Sequence, residues 1–138
     1  MITVTEVSMV LAAGGRPVTI LDRVSFEIPA KQMVAIVGPS GSGKSTLLGL
    51  MAGLDRPTSG SIELDGSDIT TMAESRMARF RREKVGYIFQ SFHLIPTLTA
   101  MENVAVPLEL SGEHRADERA GDLLAAVGLV DRMGHYPV

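Results

Sequence analysis

Residues 38 to 46 read Gly38-Pro39-Ser40-Gly41-Ser42-Gly43-Lys44-Ser45-Thr46, a complete G-x-x-x-x-G-K-[ST] pattern. The chemistry this spacing suits is the holding of a polyphosphate. Glycines let the backbone curl until several N–H groups face inward, and a helix start adds partial positive charge. Lys44 has the reach and fixed charge to sit between β- and γ-phosphates. Ser45 offers a hydroxyl to a magnesium ion bridging them, and Thr46 a hydroxyl and an N–H to the α-phosphate. The alternative is a glycine-rich strand-to-helix turn with a solvated lysine. The flanks argue against it: apolar Met33-Val34-Ala35-Ile36-Val37 reads as a buried strand before the loop, and Thr46-Leu47-Leu48-Gly49-Leu50-Met51-Ala52 as a helix after it.

The elements that must position this loop follow from pattern. Residues 2–10 are β-rich, residues 12–17 a turn, 18–21 and 24–28 strand, and 29–32 another turn. A turn cluster at 55–60 leads into Ser61-Ile62-Glu63-Leu64, which alternates polar and apolar. Residues 73–84 form a helix carrying Arg76, Arg79, Arg81, Arg82 and Lys84, read as a solvated face over an apolar side of Met77 and Phe80 rather than a nucleic-acid stripe. Val85-Gly86-Tyr87-Ile88-Phe89 is a second good strand, ending at Gln90. Residues 99–110 read as a helix with Thr99 and Glu102 as a capping box and Pro107 as a late interruption. Residues 114–127 form another, with Leu123, Leu124 and Val127 as the buried side. An antiparallel β layer beside an α/β core results.

Composition narrows the function classes. The 138 residues suffice for one core, 45% are hydrophobic, and the net charge of −3 disfavours a general nucleic-acid surface. Without cysteine, disulfides and thiolate metal sites are excluded. His93, His114 and His135 lack ligand spacing. The amino terminus lacks signal-peptide character and no apolar run reaches membrane-spanning length, so the expectation is a soluble, cytoplasmic protein.

The segment from Val85 through Gln90, Ser91-Phe92-His93-Leu94-Ile95-Pro96-Thr97-Leu98 and Thr99-Ala100-Met101-Glu102-Asn103-Val104 resembles the Q-loop region of ATP-binding-cassette (ABC) transporter ATPases. The likeness is nearest to lipoprotein-releasing, macrolide-export and cell-division ATPases. Leu21-Asp22-Arg23-Val24-Ser25-Phe26, Gly53-Leu54-Asp55-Arg56-Pro57-Thr58-Ser59-Gly60 and residues 62–66 also look like this family, in its order. The resemblance implies an α/β fold: a P-loop NTPase core with an antiparallel β subdomain, as a truncated ABC ATPase fold. Residues 1–138 would be a single partial domain. In it, 1–32 and 60–70 are mostly β layer, 33–56 and 71–94 core, and 95–138 the start of a helical subdomain. It implies ATP and Mg2+ as cofactors, with Gly38, Pro39, Ser40, Gly41, Ser42, Gly43, Lys44, Ser45 and Thr46 binding nucleotide. Ser45 and Gln90 would serve the magnesium, and Lys44 and Gln90 catalysis. Implied partners are an integral-membrane permease, met by the segment after Gln90, and a second ABC ATPase subunit or a second copy, with no nucleic acid. The implied location is the inner face of the cell membrane. His93 is then a Q-loop surface residue, since the family's catalytic histidine comes much later.

Two departures from the family pattern stand out. Met9-Val10-Leu11 offers no aromatic side chain where the family stacks one on adenine, leaving Val10 or Leu11 to pack on the ring. The chain also stops at Gly134-His135-Tyr136-Pro137-Val138, where the family continues into its signature motif, second acidic strand, glutamate and switch histidine. Leu110-Ser111-Gly112-Glu113-His114 half-matches the signature but reads as a helix–helix turn, and Val127-Gly128-Leu129-Val130-Asp131 as a helix exit. Triphosphate ligation is therefore expected, and hydrolysis by this chain alone very low. An apolar strand edge is expected to be exposed beside the loop, covered by self-association, strand rearrangement or a separate polypeptide. A non-hydrolytic nucleotide-binding or regulatory module is the alternative function. A DNA-repair or chromosome-organising ATPase would need a coiled-coil insertion after Gln90 and a basic surface, and neither is seen.

Overall fold

The computed structural model describes residues 1–137. They fall into two compact units, Met1–Tyr87 and a second beginning at Ile88.

The first unit is built on a four-stranded sheet: β1 (Ile2–Ala13), β2 (Arg16–Ile28), β3 (Ser59–Leu64) and β4 (Ser67–Asp68), in the order β2-β1-β3-β4. All neighbours are antiparallel. The two strands anticipated at 18–21 and 24–28 are one continuous strand, and the first turn shrinks to Gly14 and Gly15. β1 is irregular between Val4 and Val10. Side-chain oxygens fill the gaps there: Ser25 Oγ accepts from the Glu6 N–H (2.8 Å), Ser8 Oγ from Arg23 (2.9 Å) and Thr58 Oγ1 from Val10 (2.9 Å). Hydroxyls thus replace ladder partners that a bulge removes.

One face of this sheet carries the core. Val4, Val7, Leu21 and Ile62 meet Leu47, Leu50 and Met51 of α1 (Lys44–Met51) and Met77 of α2 (Glu74–Lys84). The i, i+3, i+4 spacing of the α1 residues makes a single apolar stripe. Met77 is buried and Phe80 half-buried, as the periodicity of α2 requires. Its cations are not all solvated: Arg81 donates to the Gly53 carbonyl, just past the end of α1, and pairs with Glu74 at 2.8 Å. A guanidinium there satisfies a carbonyl that the helix leaves without an amide. Arg79 keeps to the surface, paired with Glu83 at 2.9 Å. The exit from β4 is set by Asp68, whose carboxylate accepts from the Thr70 N–H (2.8 Å) and Thr71 Oγ1 (3.0 Å). Chiefly the Thr70 backbone bond holds its pKa below the ordinary aspartate value.

Two expected strands do not form. Residues 33–37 and 85–89 run without regular secondary structure, and Met33, Val34, Val37 and Ile88 are exposed rather than buried. A strand exists only when a neighbour takes up its N–H and C=O groups. Among the described residues neither segment belongs to the four-stranded sheet, so apolar, β-prone sequence alone does not make it a strand.

In the second unit α3 (Ala100–Leu110) packs on α4 (Ala116–Ala126), followed by a 3-10 turn at Val130–Arg132. The buried side of α4 is Ala116, Ala120 and Leu124: Leu124 is buried as anticipated, whereas Leu123 and Val127 are not. Small residues at i and i+4, with Gly121 within 4 Å of Met101 and Met133 were it to carry a Cβ, let the helices approach closely. Leu123 and Val127 consequently turn outward. α3 begins with the anticipated capping box: Thr99 Oγ1 accepts from the Glu102 N–H, and the Glu102 carboxylate accepts from the Thr99 N–H at 2.7 Å. The latter bond is the main cause of a Glu102 pKa below the usual glutamate value.

Gly60 has φ +87°, and a Cβ there would run into the backbone of Thr5 and Glu6 on β1. Gly60→Ala should therefore cost at least about 2 kcal/mol, read by urea denaturation with an unchanged slope; a loss below about 0.5 kcal/mol contradicts the close approach. Because the pKa values of Asp68 and Glu102 are depressed in the fold, their contribution is complete above the unfolded carboxylate range of about 4 and is lost as pH falls through the lower folded values. A melting temperature that declines on acidification below about pH 4, with a shallower decline in the Asp68→Asn, Glu102→Gln double variant, is the expected result.

Candidate functional site

The loop between residues 38 and 46 is held from below by β2. Gly43 adopts a left-handed conformation (φ +83°), and a Cβ on it would lie 2.8 Å from Leu21 Cδ2 and 3.0 Å from the Ile20 carbonyl. Only glycine combines that φ with that proximity. Its carbonyl then accepts from the Leu47 N–H at 2.8 Å, which opens α1. Gly41 (φ +79°) supplies the second left-handed residue, and between them the Ser42 N–H donates to the Pro39 carbonyl at 3.3 Å. Sequence and local structure are thus directly linked: the spacing of the two glycines makes the curl, and β2 fixes its base.

α1 starts without a cap. No side chain among the described residues accepts from its first turn, and that turn contains no acid. Its leading N–H groups have no carbonyl four residues back to bond, and the helix dipole places positive potential on them. Lys44 bends back over the loop, its Nζ donating to the Pro39 carbonyl (2.6 Å) with Ser42 Oγ at 3.5 Å. Lys44 and Thr46 are half-buried, and Ser45 is exposed on the first turn. The donors are therefore an ammonium, uncapped amides and hydroxyls, with no carboxylate in the first turn to repel an anion. That set fits a polyphosphate, with the Ser45 hydroxyl available to a hard divalent cation.

Val10 and Leu11 stand exposed on β1, with Leu11 opposite Val18 of β2. Gln90 is exposed near the head of the second unit, whereas the entire loop belongs to the first. After Gln90 comes an exposed apolar run of Phe92, Leu94 and Ile95. His93 sits in it at φ +46°, with Nε2 3.0 Å from Ser91 Oγ and its ring 4.4 Å from that of Phe89. Among the described residues no group of three or more His, Asp or Glu could hold a metal by itself, and no helix is long and apolar enough to cross a membrane. Asn103 drew no notice from pattern, although it makes the densest set of side-chain hydrogen bonds around this run. Its place one turn into a capped helix was the available signal.

Comparison with known proteins supplies the family and the fold. Residues 21–137 match a family described as ABC transporter. The chain is 44% identical over 138 residues to an uncharacterised ABC transporter ATP-binding protein of Mycobacterium tuberculosis, covering 99% of this chain and 42% of that protein. It is 45% identical to the macrolide export ATP-binding/permease protein MacB of Burkholderia thailandensis, of which it covers 21%. Against the methionine import ATP-binding protein MetN 1 of Yersinia pestis it is 44% identical and covers 40%. The chain thus spans less than half the length of these relatives. Among solved structures, a dimeric post-hydrolysis state of the ATP-binding cassette MJ0796 bound to ADP and Pi superposes with a TM-score of 0.90 at 34% identity, covering 99% of this chain and 62% of that one.

Gly43→Ala should introduce both the left-handed strain and the Leu21 clash, lowering stability by about 1–3 kcal/mol. Pairing it with Leu21→Ala should return part of that loss, because the second change removes the atom in the way. A double variant no better than the sum of the two single ones speaks against contact between Gly43 and β2.

Proposed function

The chain belongs to the ABC transporter family, and we propose that it is the nucleotide-binding portion of a transporter's ATP-binding subunit, holding Mg-ATP on residues 38–46. One observation carries this reading: an uncapped α1 start behind a left-handed Gly43, with Lys44 folded across the loop. Bound there, ATP supplies the phosphoanhydride bond whose cleavage powers transport. The Lys44 ammonium exchanges its Pro39 carbonyl for β- and γ-phosphate oxygens. Ser45 offers its hydroxyl to magnesium. Thr46 and the leading amides take the α-phosphate, and Leu11 or Val10 packs on the base without π stacking. Gln90 is assigned to the ion and the attacking water, where a neutral amide oxygen adds no charge.

Coupling to a membrane permease through the segment after Gln90 is supported by that segment's exposed Phe92, Leu94 and Ile95. The relative MacB joins ATP-binding and permease functions by name, and the neighbour MJ0796 is dimeric. A second cassette subunit, or a second copy, is the proposed source of the charge stabilisation that hydrolysis needs in addition to phosphate ligation. The protein would then sit at the inner face of the membrane, held there by its permease.

Calorimetry with magnesium and ATP should show one site per chain, and Lys44→Ala should weaken it at least about thirty-fold, which is about 2 kcal/mol. No detectable association, or an association indifferent to Lys44, would overturn the reading. Steady-state hydrolysis by the 138-residue chain alone should be barely above background; brisk turnover would show that the chain assembles a complete hydrolytic site by itself.

A further inference from the structure

The surface assigned to the permease is a loop, and exposed apolar side chains on a loop do not order themselves. Fixing each residue costs about 1–2 kcal/mol of backbone entropy. Its order must come from elsewhere, and one side chain supplies much of it. Asn103 lies half-buried in the first turn of α3. Its Oδ1 accepts from the Ile95 N–H at 2.8 Å, and the two hydrogens of its Nδ2 are shared among the carbonyls of Ile95 (3.1 Å), Leu98 (2.9 Å) and Thr99 (2.9 Å). Reciprocal bonding to both backbone groups of Ile95 imitates one rung of a β-ladder. The bonds to Leu98 and Thr99 close the loop onto the helix. The Thr99–Glu102 capping box fixes the same turn from its other side. Upstream, the Ser91–His93 contact and the left-handed His93 curl the chain, so Phe92 and Leu94 are carried outward between a curl and a clamp.

We propose that Asn103 is a positioning residue for permease docking: its amide presets the loop that displays Phe92, Leu94 and Ile95, so that the partner meets an ordered apolar surface. This inference rests on the reading that the segment after Gln90 is the docking surface. Two side chains of similar size fall short of the task. An aspartate keeps the acceptor for Ile95 but turns a charge toward the three carbonyls. A leucine keeps the volume and loses every bond. Preorganisation lowers the entropic cost of association without adding a contact.

The test uses the 138-residue chain with Mg-ATP and, as probe, the permease portion of Burkholderia thailandensis MacB in lipid nanodiscs. Association is measured for the unaltered chain and for Asn103→Asp, Asn103→Leu and Phe92→Glu. The expected result is that both Asn103 variants bind the nanodiscs at least about ten-fold more weakly. Amide hydrogen exchange should accelerate at residues 92–98 but not in α4, and Mg-ATP affinity should stay within two-fold. Asn103 variants that dock as tightly as the unaltered chain, while Phe92→Glu does not, overturn the positioning role and leave the docking surface standing. Indifference of docking to Phe92→Glu as well, or no association of the unaltered chain, overturns the docking reading itself. If both Asn103 variants lose the helical circular dichroism of α3 and α4, Asn103 is a folding residue and the proposal fails.

Discussion

The approach of Gly43 to β2 is the constraint on which the candidate site depends. A backbone in the left-handed region, pressed against Leu21 and the Ile20 carbonyl, leaves no room for a side chain and fixes where α1 begins. The start of α1 in turn decides which amides are left without acceptors, and Lys44 is the first residue of that helix. The electrostatics of the loop are therefore set by a steric fact about β2, through Leu21 and the Ile20 carbonyl. The core repeats the same link, since Leu21, whose side chain limits Gly43, is itself buried among Val4, Val7, Leu47 and Leu50.

Much of this was legible in the residues. The loop announces itself because glycine, lysine and hydroxyl residues have fixed tasks in phosphate binding, and the antiparallel strands announce themselves through alternation. The Thr99–Glu102 box was readable because both partners lie within four residues of each other. Residues 33–37 and 85–89 were misread for a physical reason. Strand propensity describes how a side chain suits a pleated surface, whereas the existence of a strand depends on a neighbour that propensity does not report. Leu123 and Val127 were misplaced because hydrophobicity outranks size in pattern reading, while α3 and α4 pack through alanines and Gly121. Asn103 was passed over because an asparagine in a helix looks like a solvated position until the loop it bonds is folded beside it.

The two units show different ways of ordering backbone that is neither helix nor sheet. In the first, serine and threonine hydroxyls patch an irregular β1, and Arg81 and Arg56 bond the carbonyls of Gly53 and Met72. In the second, one amide side chain ties three carbonyls and an amide within a five-residue stretch. Both obey the same accounting, in which backbone groups removed from water acquire a partner. Polar side chains here act less as surface decoration than as replacements for missing ladder and helix bonds.

The edges of the four-stranded sheet and the bare segment at residues 33–37 differ in how they resist unwanted neighbours. β4 is two residues long, and β2 carries Arg16, Asp22, Arg23 and Glu27 along its length. Short length and charge are the gatekeepers by which sheets deter stacking between molecules. Met33, Val34, Ala35, Ile36 and Val37 have neither gatekeeper: they form a charge-free, proline-free aliphatic ribbon of the composition that seeds cross-β assembly. Precipitation of concentrated protein would therefore nucleate at this ribbon and not at the sheet margins, and a single lysine there would act as an antidote where the same change on β2 would do nothing.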